Sequence, residues 1–155
     1  MKLATRLRDE LQAVLQLHRL LAVEYDALKS RDLAGLERAV ADKHACLDHL
    51  RGLIAQRLND LQALGVSADA QGLAAYLETL PVAERGETVE VWAALTRATA
   101  QVHQQNAVNG AVIAASRSHI EQTLAILRGR DSLDFLYDHD TRKVFGGGSQ
   151  PIAKA

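Results

Sequence analysis

The sequence predicts an all-α fold: an antiparallel up-down bundle of three long helices and one short helix, coiled-coil-like, with a flexible C-terminal tail. Three observations carry this. Hydrophobic residues make up 48% of the chain but aromatic ones only 4%, so the apolar mass is Leu, Ala and Val, which suits helix-on-helix packing better than strands. Only Pro81 and Pro151 can interrupt a helix. Apolar residues recur at 3-4 spacing over long stretches, the period of a helix face. A chain of 155 residues can bury a stable core without staples, and the single Cys46 allows no internal disulfide.

The first helix is expected over roughly Leu3–Lys29. Leu7, Leu11, Val14, His18, Leu21, Tyr25 and Leu28 form one stripe, and Leu17 and Leu20 widen it enough for more than one neighbour. Ser30-Arg31-Asp32 breaks the pattern, with Asp32 as N-cap of the next helix. That second helix runs from about Leu33 to Leu64 on the register Leu33, Leu36, Val40, Lys43, Leu47, Leu50, Ile54, Arg57, Leu61 and Leu64. Lys43 and Arg57 occupy seam positions, so they must either snorkel to the edge or pair with carboxylates. Gly65 suits the C′ position. The short linker after the first helix makes the first two an antiparallel hairpin.

A short third helix starts at Ser67-Ala68-Asp69, turns Leu73, Tyr76, Leu77 and Leu80 to one face, and stops before Pro81. Val82–Glu87 reads as a loop. The fourth helix is expected from near Thr88 to about Arg128, on the register Trp92, Leu95, Thr99, Val102, Asn106, Asn109, Ile113, Ser116, Ile120, Thr123 and Leu127. Asn109-Gly110 would normally spell a turn, but it lies within a strong heptad and the helix is read through it. Gly110 costs about 1 kcal/mol there against Ala. It serves either close packing or a soft place where a partner helix can enter. From Gly129 the period is lost, which divides the chain into a helical bundle domain at 1–130 and a flexible partner-binding tail at 131–155. Gly146-Gly147-Gly148-Ser149 cannot hold regular structure, and Leu133-Asp134-Phe135-Leu136-Tyr137 is an apolar cluster in that polar tail.

Composition excludes several function classes. The net charge is -1 with both signs interspersed, and no basic block with interleaved aromatics is present, so nucleic acid is not an expected partner. No apolar run reaches membrane-spanning length, and residues 1–10 contain no h-region, so a cytoplasmic protein is expected. His18, His44, His49, His103, His119 and His139 never form the i, i+4 pair with an acid that a helical zinc site uses. Cys46 has no partner motif, and Asp138-His139-Asp140 is a solvated charge cluster. No metal, no cofactor and no catalytic residue is expected. His49-Leu50-Arg51-Gly52 is similar to the histidine phosphotransfer motif, but its basic residue and glycine fall two and three positions after the histidine instead of three and four. On a helix that displaces both from the imidazole by about 100°.

Three stretches together resemble the FlgN-type flagellar export chaperones. They are Leu36-Glu37-Arg38-Ala39-Val40-Ala41-Asp42-Lys43 with Leu47 and Leu50; Val91-Trp92-Ala93-Ala94-Leu95-Thr96 leading into Gln105-Asn106-Ala107-Val108-Asn109-Gly110; and Leu124-Ala125-Ile126-Leu127 followed by Leu136-Tyr137. The resemblance implies a cytoplasmic chaperone, not an enzyme. Such a chaperone binds hook–filament junction (hook-associated) proteins, prevents their premature assembly and delivers them to the type III export gate. The implied partners are those cargo proteins, the cytoplasmic domain of the gate's membrane component and the export ATPase complex, with membrane contact only through the gate. A cargo helix would add its apolar face to the open bundle or pair with the last helix. The expected cargo residues are Asn109, Ile113, Ile120, Leu124 and Leu127, and Phe135, Leu136 and Tyr137 are the expected gate-docking residues. The alternative from another class is a structural coiled-coil adaptor without secretion cargo.

Overall fold

Helix α1 spans Leu3–Ser30 and α2 spans Leu33–Ala63 in the computed structural model, which describes residues 2–127. Arg31, in the left-handed region at φ 56, ends α1, and the Asp32 amide bonds back to the Ala27 carbonyl. The Asp32 side chain then accepts from the Gly35 amide and caps α2, as its sequence position predicts. At the other end Gly65 turns the chain at φ 71, a conformation that favours a residue without Cβ. Helix α3 spans Ala70–Thr79, capped by Asp69 on the Gly72 amide, and α4 spans Val82–Leu127. The described residues therefore hold three long helices, one short helix and no strand.

The fourth helix starts six residues earlier than the sequence suggests. Val82–Glu87 is helix, and the Pro81 carbonyl accepts from the Glu84 and Arg85 amides. A proline at a helix start loses nothing, because the first amides of a helix have no intrahelical acceptor. Arg85 reaches back to the Glu78 and Leu80 carbonyls, so the first turn of α4 also closes the end of α3. Through Asn109-Gly110 the helix continues, as expected. Where a Gly110 Cβ would stand there is open space, which removes close packing as the reason for that glycine.

The chain divides into two compact units, Met1–Val112 and Ile113–Ala155. In the first, the long helices run up, down and up. Leu7 and Val14 of α1 share a core with Leu95 and Ala98 of α4, flanked by Leu50, Trp92 and Val102. Leu73 and Leu77 of α3 pack on Leu61 of α2 and reach Leu3 and Trp92. Burying each such leucine contributes roughly 1.5–3 kcal/mol. The buried line of α1 runs through Leu7, Glu10, Val14, Leu17, Leu21 and Glu24. Leu11, His18, Tyr25 and Leu28 are half-buried at its flank. On α4 the buried line passes from Val102 through half-buried Gln105 to Asn109, while Asn106 faces outward. Of the second unit, the described part is Ile113–Leu127, helical throughout. The expected 130/131 domain boundary and the tail lie outside the described residues.

Candidate functional site

Two groups of residues distinguish this bundle from a plain apolar one. The first is a pair of buried polar layers. Glu10 and Glu24 lie two heptads apart on the buried line of α1, and Arg57 and Lys43 lie two heptads apart on α2. Arg57 Nε donates to Glu10 Oε1 at 2.6 Å, and Lys43 Nζ donates to Glu24 Oε2 at 2.6 Å. The Arg57 guanidinium also lies 5.7 Å from the Trp92 ring centroid, a cation–π distance. The seam cations that the sequence required to pair or snorkel are therefore paired. The opposite order of the two pairs fixes the antiparallel register of α1 and α2.

Asn109 completes the second layer. It is 1% exposed, and its Nδ2 donates to both Glu24 Oε1 and the Leu21 carbonyl at 2.9 Å. Its Oδ1 accepts from Gln105 Nε2. One amide thus ties α4 to α1, and through Glu24 to Lys43 on α2. Among the five residues expected to hold cargo, Asn109 stands apart, because its side chain is fully engaged within its own unit.

The second group is an apolar surface on α4. Ile113, Ile120, Leu124 and Ile126 are all exposed, Ile120 and Ile126 at 58% each. Leu127 ends the helix. Ile113, Ile120 and Leu124 lie on one face by heptad spacing, whereas Ile126 lies off that line. Arg117, four residues after Ile113, lies on the same face and Glu121 lies at its edge, both exposed, while His119 is on the far side of the helix. Apolar residues at helical spacing with no cover among the described residues have the pattern of a helix-pairing surface. The expected docking residues Phe135, Leu136 and Tyr137 lie outside the described residues.

Among the described residues, Asp9, Arg19, Cys46 and His49 line one open hollow between α1 and α2. No group of three His, Cys, Asp or Glu suited to a metal occurs among the described residues. Burial pushes the Cys46 thiol above its ordinary value, away from the thiolate, and the thiol makes a 3.5 Å contact with the Ala13 carbonyl. His49 is exposed, and the Arg51 beside it pairs with Asp48. No helix among the described residues is long and apolar enough to cross a membrane.

Sequence reasoning missed Glu10 and Glu24, because it ran the α1 stripe through the neighbouring positions Leu11, His18 and Tyr25. The signal was present: two glutamates at seam positions, spaced like the two seam cations of α2.

Comparison with known proteins gives one family and one structure. The family described as FlgN protein matches residues 1–143. A crystal structure of a flagella synthesis protein FlgN from Pseudomonas aeruginosa is similar, with a TM-score of 0.64 and 26% identity, covering 70% of this chain and 84% of that one. No curated protein sequence matches the chain.

Proposed function

From the premise that the chain belongs to the FlgN family, we propose that it is a cytoplasmic export chaperone of the flagellum. Its cargo is the hook–filament junction proteins, which it keeps from premature assembly and delivers to the export gate. The observation that carries the reading is the apolar stripe Ile113, Ile120, Leu124, exposed on a helix, with Leu127 extending it in sequence. A cargo helix laid along that stripe would bury three or four aliphatic anchors, each contributing less than the roughly 1.5–3 kcal/mol of full burial, before ordering costs. Such a chaperone works by equilibrium binding and release and consumes no nucleotide or metal of its own. Asn109 does not enter the contact in this reading. It holds the preceding stretch of α4 on the bundle, leaving the later residues to the partner.

Release at the gate falls to Phe135, Leu136 and Tyr137, which offer an aromatic anchor of the kind that dominates small interfaces. Their partner is the cytoplasmic domain of the gate's membrane component. Replacing Tyr137 by Ala should lower affinity for that domain and leave cargo affinity and Tm unchanged.

The deciding experiment is the double substitution Ile120→Asp and Leu124→Asp, with junction-protein binding followed by calorimetry and helicity by circular dichroism. Binding should be lost while the helical signal is kept. Retained binding would place the cargo site elsewhere. A wild-type protein that binds no junction protein but self-associates would favour the structural adaptor.

A further inference from the structure

A long open groove runs between α2 and α4 inside the first unit, and nothing in that unit fills it. Its walls are Leu47, Leu50 and Ile54 on one side and Trp92, Thr96 and Val102 on the other, enclosing about 470 Å³. Leu47, Leu50 and Ile54 are only half-buried, although they hold the core register of α2. The groove adjoins α3 at Trp92, which belongs both to its wall and to the cluster around Leu73 and Leu77. No α3 residue lines it. With 10 residues against 31 in α2, α3 covers one end of the α2–α4 seam and leaves the rest open.

Charge says what kind of surface is missing. From Val91 to Ser116, α4 carries a single charged residue, Arg97. Helices that face water on one side normally spread charge along that side, and loss of charge marks the centre of contact surfaces. The one ionic pair at the groove, Glu10–Arg57, is internally neutralised. A partner face bearing an uncompensated carboxylate or ammonium would lose its hydration there without gaining a counter-charge. The groove therefore selects an uncharged aliphatic face.

We propose that this groove is a second docking slot, occupied by one amphipathic helix of an export cargo protein. That helix presents Leu, Ile, Val or Met at 3-4 spacing with no charge on the contact face. Leu47 to Arg57 and Trp92 to His103 set its length at about three turns, some 15–17 Å at 1.5 Å per residue. Seated there, it continues the cover that α3 begins and completes a four-helix cross-section. The proposal rests on the chaperone reading for the source of the helix, but it concerns a surface separate from the Ile113–Leu127 stripe.

The test uses the full chain and a purified hook–filament junction protein. Thr96 is exposed and lines the groove, so Thr96→Glu introduces a charge without disturbing the core. Trp92, the chain's only tryptophan, reports occupancy by its emission. Cargo should shift the wild-type emission to the blue. Thr96→Glu should weaken cargo binding about tenfold or more and abolish the shift, with Tm unchanged. Thr96→Ser should behave as wild type. Unchanged affinity in Thr96→Glu with binding lost in Ile120→Asp/Leu124→Asp would overturn the slot and leave the chaperone reading standing. A wild-type protein that binds no junction protein would overturn both. A Trp92 emission that depends on protein concentration would assign the groove to a second copy. An emission altered by Phe135→Ser/Leu136→Ser without cargo would assign it to this chain's own C-terminal residues. Either result would also overturn the proposal.

Discussion

Two stretches of one helix, Val82–Val112 and Ile113–Leu127 of α4, share a backbone and a heptad rhythm but differ in fate. The first buries Thr88, Leu95, Ala98 and Asn109, two of them polar. The second leaves Ile113, Ile120, Leu124 and Ile126 in solvent. The more hydrophobic anchors are the exposed ones. Hydrophobicity thus does not decide burial along this helix. What decides it is whether a complementary surface exists, and within the first unit that surface is supplied by α1 and the two polar layers. The contrast teaches that helical spacing alone does not bury isoleucines: Ile113, Ile120 and Ile126 stay exposed where no complementary surface meets them.

The strongest way to break the comparison is to remove the group that binds the first stretch. Glu24→Ala deprives Lys43 of its buried counter-charge and Asn109 of an acceptor. Stranding a buried ionic partner typically costs 3–5 kcal/mol, and Lys43 is partly exposed, so a loss of about 3 kcal/mol is expected in urea denaturation. A loss below about 1 kcal/mol would mean that the layer contributes little.

Next in size is a matched pair of truncations. Leu95→Ala should cost about 2–3 kcal/mol, the cost of a core cavity. Ile120→Ala should stay within about 0.5 kcal/mol, as surface changes do. Comparable losses at both sites would erase the distinction between the two stretches and count against a free stripe. Asn109→Ala tests the boundary itself. It removes the donor that satisfies the Leu21 carbonyl and Glu24 Oε1, and should cost about 1–2 kcal/mol. Hydrogen exchange should quicken first around Gln105–Val112.

Much of this fold is legible in the sequence, and the failures have physical reasons. The caps at Asp32 and Asp69, the turn at Gly65 and the unbroken helix at Asn109-Gly110 follow from local chemistry, which a sequence states directly. The loop expected at Val82–Glu87 does not form, because Pro81, which follows α3, serves equally well at the start of α4. Placing Asn106 on the seam came from extending an apolar register into a polar stretch. There the choice between Asn106 and Asn109 depends on an acceptor, Glu24, that lies on another helix. The stripe Ile113, Ile120, Leu124 could be read as periodic, but its exposure could not. Periodicity reports that a face wants cover, not where the cover comes from.

The smallest effect sharpens the comparison through α3. The carboxylate of Asp69 is held below the ordinary aspartate value of 3.8, chiefly by the Gly72 amide and also by the Ser67 hydroxyl. A depressed folded value means that this cap's contribution is fully present above the ordinary aspartate value and is lost as pH falls through the lower, folded one. Protonation should therefore loosen α3 in acid below about pH 4. Because Leu73 and Leu77 pack towards Trp92, the change belongs to the bundled stretch of α4 and should be read in Trp92 emission. Asp69→Asn keeps a capping oxygen but does not titrate. Other carboxylates titrate in the same range, so the informative quantity is the difference between the two proteins. Wild type should show an extra acid-side change in Trp92 emission that Asp69→Asn lacks, with neutral-pH spectra alike. Identical acid profiles would mean that α3 holds its place by Leu73 and Leu77 alone, whatever the state of its cap.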